Sequence, residues 1–88
     1  MVTISLGKGT LIMQIAIVDD LKSERDLLGS YIVRYCQENN ISLNLVKFTC
    51  GEEILATKTT PFDIIFLDIY MPGLSGLETA SEIRKLDT

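Results

Sequence analysis

Residues Phe62–Gly76, FDIIFLDIYMPGLSG, constrain what this chain can fold into more than any other stretch. Ile64, Ile65, Phe66 and Leu67 form a continuous apolar run without the polar alternation of a strand that has one wet face. The run suits a strand buried on both sides, as in a parallel α/β sheet. Asp68 closes it. A carboxylate at that point sits where the strand leaves the sheet, the edge at which open α/β sheets gather ligands and chemistry. Met71-Pro72-Gly73 then breaks the backbone into a loop, and Gly76 leads into another helix.

A second run of the same kind lies near the amino terminus. Ile15, Ala16, Ile17 and Val18 are consecutive, and they too end in carboxylates, Asp19 and Asp20. Lys22 to Glu38 follows as a helix, with Leu27, Leu28, Tyr31, Ile32 and Tyr35 at helical spacing and Glu38-Asn39-Asn40 as its exit turn. Ser23 with Asp26 is an imperfect capping pair at its start. Ile41, Leu43 and Leu45 alternate with Ser42 and Asn44, which marks a half-exposed strand through Phe48 at a sheet edge. Thr49 with Glu52 forms a capping box for a short helix carrying Ile54 and Leu55, and Thr57 to Pro61 is a loop. Ser75 with Glu78 is a second capping box. It opens a last helix with Leu77, Ala80, Ile83 and Leu86 as its inner face. The order β-α-β-α-β-α implies parallel strands joined by right-handed crossovers.

Composition removes several functions. The 88 residues allow one small domain, and eight basic against twelve acidic residues give a net charge of −4 with no basic run. Such a chain is a poor candidate for direct nucleic-acid contact. Cys36 and Cys50 lie in no CxxC motif and the chain has no His, so a zinc site lacks ligands and reduced thiols are expected. No apolar run reaches the ~18 residues of a membrane span. The first dozen residues make an unconvincing signal peptide, because Lys8 and two glycines interrupt the apolar core it needs and no small-residue cleavage site follows. Together these features point to a cytoplasmic protein. Met13 stands directly before the first buried run, so residues 1–12 read as an upstream extension and 13–88 as the domain.

If the two buried strands are parallel neighbours, Asp19, Asp20 and Asp68 meet at one sheet edge. Three close anions repel one another unless a cation neutralises them. With oxygen donors alone, the matching cation is hard, and Mg²⁺ fits best, keeping waters and taking carboxylate and phosphate oxygens. Such a site suits phosphoryl chemistry with an aspartate as nucleophile. The competing reading is structural: Asp19 and Asp20 cap the first helix and Asp68 only ends a strand.

IAIVDD (Ile15 to Asp20) and FDIIFLDIYMPGLSGLE (Phe62 to Glu78) together resemble the receiver domain of two-component response regulators, over Gln14 to the chain end. ETASEIRKLDT and the Cys-Gly-Glu-Glu segment look most like receivers that precede LytTR-type DNA-binding domains. The resemblance implies a flavodoxin-like, CheY-like α/β fold, a doubly wound parallel sheet with strand order 2-1-3 in this part. It implies that Asp68 accepts a phosphoryl group from a sensor histidine kinase. Asp20 would ligate Mg²⁺ directly, Asp19 would help hold the ion, and the backbone carbonyl of Tyr70 would complete the protein ligands. Gly76 would allow a close backbone approach. The function implied is phosphorelay signalling rather than enzymatic turnover, with control of a transcriptional output domain.

Departures from the family pattern set further expectations. The family has five βα units and this sequence supplies three, so the fold is expected to stop before the last two. The family's Ser or Thr and its Lys would fall beyond Thr88, and Lys85 is a surface residue rather than that Lys. A receiver lacking them is expected to act as an interaction or dimerisation module, the alternative function. The strand Ile64 to Leu67 would then be an exposed edge through which the chain forms a homodimer. A haloacid-dehalogenase-like phosphatase or phosphotransferase wants a second Asp two positions after the nucleophile, where this chain has Tyr70.

Overall fold

The computed structural model describes residues 1–6, 12–57 and 62–87. The elements in chain order are β1 (Val2–Ser5), β2 (Met13–Val18), α1 (Lys22–Glu38), β3 (Leu43–Phe48), α2 (Gly51–Leu55), β4 (Ile64–Leu67) and α3 (Gly76–Asp87). Apart from Thr57, the expected loop Thr57 to Pro61 lies outside the described residues, as do residues 7–11 of the expected extension and the last residue.

The strands form one sheet in the order β1-β4-β2-β3. β2 runs parallel to both β3 and β4, so the expected 2-1-3 arrangement appears as β3-β2-β4. β2 is the central strand because its apolar run has two sheet faces to satisfy. Ala16 and Val18 enter the main core with Ile65 and Leu67 of β4, Ile54 of α2 and Ile83 of α3. Ile15 and Ile17 are also buried, on the opposite face, the one α1 covers. β3 lies at the outer edge, as its alternation indicated.

α1 spans the residues its periodicity marks, Lys22–Glu38. It ends with Asn40 in the left-handed region (φ 55°), the conformation asparagine tolerates at a helix exit, and Ile41 N–H returns to the Cys36 carbonyl at 2.8 Å. Asp26 ties the helix to β3 through Lys47 and also pairs with Lys22 one turn back. Hydrogen bonds from these two lysines hold the Asp26 carboxyl at about 2. That contribution to stability is present above the ordinary carboxylate pKa and is lost as pH falls towards 2.

Four expectations are corrected. β4 has no open edge: β1 pairs with it antiparallel from Val2↔Leu67 to Ser5↔Ile64. Leu6 N–H extends the ladder to the Asp63 carbonyl, and Ile4 is fully buried against the core. The strand is therefore central on both sides, as its apolar sequence demands, and the basis for a homodimer through its edge is gone. On α1, Leu27, Tyr31 and Tyr35 are exposed, while Gly29 and Cys36 are buried and Leu28 and Ile32 partly so. On α3, Leu77 and Leu86 are exposed and Thr79, Ala80 and Ile83 face inward. α1 carries apolar residues on more than one stripe, whereas the i+3 row of α3 drifts around the helix and turns its two ends, Leu77 and Leu86, away from the face that Ala80 and Ile83 bury.

The fourth correction concerns caps. Ser75 and Glu78 form the expected reciprocal box, with Ser75 N–H donating to Glu78 Oε1 at 3.0 Å and Glu78 N–H to Ser75 Oγ at 3.1 Å. Thr49 instead reaches Glu53, one residue later than expected, through its N–H (2.6 Å) and its hydroxyl. Ser23 makes no cap, because α1 begins with Leu21 at the N-cap position and no side-chain bond there.

Candidate functional site

β2, β3 and β4 end in register, with Val18 opposite both Phe48 and Leu67. The ladder continues one residue further: Asp19 N–H donates to the Phe48 carbonyl (3.1 Å) and Asp68 N–H to the Val18 carbonyl (2.9 Å). Those two bonds carry both aspartates off the sheet side by side. Asp19, Asp20 and Asp68 each bring a carboxylate oxygen to within 4.8 Å of the others. Asp19 is buried, Asp68 half-buried and Asp20 exposed, so the cluster opens to solvent through Asp20.

The loop after β4 is shaped by two glycines for different reasons. A Cβ at Gly76 would lie 2.1 Å from the Asp68 carbonyl oxygen and 2.9 Å from Ile69 Cα, contacts with backbone that cannot swing away. The close approach expected at Gly76 is therefore present. It is locked by a hydrogen bond from Gly76 N–H to the Ile69 carbonyl at 3.0 Å. Gly73 adopts φ +79°, a left-handed turn conformation that glycine takes without strain. Ahead of both glycines, Met71 is buried in the core and Tyr70 is 86% exposed. Tyr70 N–H stands 3.4 Å from Asp68 Oδ1, a long contact that leans the carboxylate toward the loop.

Burial raises the Asp68 carboxyl above the ordinary carboxylate range, and the charge on Asp19 adds to this, with the Tyr70 amide opposing and Asp20 contributing. A raised carboxyl pKa makes the ionised site a cost to the metal-free fold at neutral pH, relieved as pH falls through the folded value. Asp68→Asn should therefore melt a few degrees higher than the wild-type chain in EDTA at pH 7. The gap should shrink as pH falls through the folded value of the wild-type carboxyl and neutralises it. Thermal scans across the acid range check this, and a lower melting point for the variant at pH 7 would contradict it.

Two residues of the α1 first turns belong to the site and were not singled out from sequence. Glu24 has its carboxyl raised by the Asp19 charge, by partial desolvation and by a hydrogen bond with Asp19, so a fourth acid faces the cluster. Arg25 is half-buried, and its Nη1 donates to the Asp19 backbone carbonyl at 2.8 Å. The sequence signal was available: positions four and five after an Asp-Asp pair that ends a strand fall on the first turns of the following helix, beside that strand end.

A mostly parallel α/β sheet with three carboxylates converging where its central strands end has the geometry of a candidate hard-cation site. The chain belongs to the response regulator receiver domain family, whose profile matches residues 15–88. It is 33% identical over 72 residues to the uncharacterized transcriptional regulatory protein YrkP of Bacillus subtilis (strain 168), covering 82% of this chain and 29% of that protein. It is 37% identical over 62 residues to the histidine kinase CKI1 of Arabidopsis thaliana, covering 68% of this chain and 6% of that protein. The chain thus spans less than a third of either relative. No helix among the described residues is long and apolar enough to cross a membrane.

Proposed function

We propose that the chain receives a phosphoryl group on Asp68, with Asp19, Asp20 and the Tyr70 backbone carbonyl holding Mg²⁺ beside it. The observation that carries this reading is the convergence of three carboxylate oxygens within 4.8 Å at the aligned ends of β2 and β4. The donor set fits the ion: it is all-oxygen, the chain contains no His, and the Asp68 carboxyl is raised in the absence of a cation. When bound, Mg²⁺ would offset charge on the transferring phosphoryl oxygens.

The protein's own groups supply the rest. The Asp68 carboxylate attacks the phosphorus of a phosphohistidine on a sensor kinase. The P–O bond forms as the P–N bond breaks, and the bonding pair returns to the imidazole nitrogen. Asp68 ends as a mixed anhydride, and the imidazole leaves neutral after taking up a proton from water. The buried Asp19 orients Asp20 and the β2–α1 turn, because its Oδ1 accepts the Leu21 N–H at 3.0 Å. Glu52 stands across from Gly73, close enough that a Cβ at Gly73 would meet its Oε2 at 2.5 Å. The short α2 therefore borders the loop that carries the site.

Among whole-protein outputs, transcriptional control has the support of the relative named as a transcriptional regulator. Receivers are signalling modules rather than enzymes, and the kinase-named relative is consistent with a kinase on the donor side of the relay. The test is intact mass after incubation with Mg²⁺ and a small phosphodonor. One phosphoryl adduct on the wild-type chain, absent in EDTA and absent in Asp68→Asn, is the expected result. No adduct under any condition would leave the interaction-module reading in its place.

A further inference from the structure

We infer that Arg25 is a positioning residue of the acidic site, holding the Asp19 backbone so that the carboxylates stay available to a cation. This rests on the reading of Asp19, Asp20 and Asp68 as a divalent-cation site and adds to it a basic residue that none of its ligands requires.

An arginine beside a carboxylate cluster has an obvious alternative. Its planar fork matches a carboxylate with two parallel hydrogen bonds, and such pairing would compete with an incoming cation. Arg25 does something else. Its Nη1 donates to the backbone carbonyl of Asp19 at 2.8 Å, not to any of the three carboxylates. The Glu53 carboxyl of α2 is lowered by its bonds from Thr49 and then by the Cys50 amide, with the Arg25 charge adding the smallest contribution. The two described lysines of this region, Lys22 and Lys47, are paired with Asp26.

Asp19 is thereby fixed at three points. Its N–H donates to the Phe48 carbonyl at the end of β3, its Oδ1 accepts the Leu21 N–H, and its carbonyl accepts Arg25. The first two bonds fix the peptide before Asp19 and one carboxylate oxygen. Among the described residues the Arg25 bond is the one that holds the carbonyl between Asp19 and Asp20, and it adds to the Leu21 bond in setting where the exposed Asp20 carboxylate points. Arg25 itself is anchored, since its own N–H makes the first helical bond of α1, to the Leu21 carbonyl at 3.0 Å. The helix start and the acidic turn are tied together through this side chain.

The sign of one measurement separates positioning from charge. A guanidinium acting only as a nearby positive charge opposes cation binding, so its removal would tighten Mg²⁺. A positioning residue has the opposite signature, because partners that orient metal ligands typically contribute about 10–100-fold in affinity. Arg25→Met keeps the length of the side chain and removes the donor; Arg25→Lys restores one donor to the same carbonyl. Mg²⁺ affinity by calorimetry should fall about tenfold in Arg25→Met and recover most of that loss in Arg25→Lys. In the metal-free proteins, hydrogen exchange at the Leu21 amide should quicken about tenfold in Arg25→Met, with the Ile65 and Leu67 amides unchanged.

Unchanged or tighter Mg²⁺ binding by a folded Arg25→Met would overturn the inference. So would unchanged Leu21 exchange, which decides the matter even if the wild-type chain binds no Mg²⁺. Absence of Mg²⁺ binding by the wild-type chain, with Leu21 exchange quickened in Arg25→Met, would instead count against the cation site and leave the positioning role standing.

Discussion

A Gly76→Ala variant melts roughly 10–20 °C below the wild-type chain, corresponding to about 2–3 kcal/mol in a domain of this size. Helix propensity predicts the reverse. Gly76 opens α3, and alanine in a helix is ordinarily better than glycine by up to about 1 kcal/mol. A destabilised variant therefore isolates the steric effect: the added methyl group would sit 2.1 Å from the carbonyl oxygen of Asp68 and 2.8 Å from its carbonyl carbon. Relief requires α3 to back away from β4 or the Asp68 peptide to rotate. Either movement displaces the carboxylate that meets Asp19 and Asp20. Differential scanning calorimetry in EDTA measures the first effect, and a Mg²⁺ titration of the folded fraction measures the second. A melting point at or above wild type would show that the close approach is not maintained in solution.

The second large effect lies at the other end of the chain. Ile4→Asp, or removal of residues 1–6, uncovers the β4 edge and makes the protein self-associate. Ile4 is fully buried between α3 and the sheet, and truncating a buried Ile alone costs about 2–5 kcal/mol. A buried carboxylate in its place costs more still unless it is neutralised. With β1 displaced, Ile64 to Leu67 would present unpaired backbone groups along an apolar strand, which is a template for pairing with another chain. Sedimentation velocity should show an apparent mass that rises with concentration for either variant and stays constant for the wild-type chain. A variant that stays monomeric and folded would show that β1 is dispensable for closing the sheet.

The acidic half of the site was legible in sequence because its signal is short-range and repeated. Two continuous apolar runs ending in aspartate require buried parallel strands, and parallel strands in register place both strand ends on one edge. Gly76 and the Ser75–Glu78 box were legible for a similar reason, since each is a local backbone requirement with few residue types that meet it. β1 was not. Val2-Thr3-Ile4-Ser5 is four residues long, and what makes it a strand is the vacant edge of β4, which is distant in sequence. The buried faces of α1 and α3 were misjudged at Leu27, Tyr31, Tyr35, Leu77 and Leu86 because α1 offers more apolar residues than the sheet covers and the i+3 row of α3 drifts off the inner face at both ends. Glu24 and Arg25 escaped notice because charged residues in a helix's first turns read as a solvated face. Only the register of α1 against the end of β2 shows both reaching back to Asp19.

The central claim is that Asp68 is the phosphoryl acceptor of a cation-dependent site, and its position can be read directly. Borohydride reduces an acyl phosphate on an aspartate to homoserine, so peptide mapping after phosphodonor treatment and reduction reports which residue carried the group. The prediction is homoserine at position 68 alone, formed with Mg²⁺ and absent in EDTA. Homoserine at position 19 or 20, or at 68 with equal yield in EDTA, would contradict it.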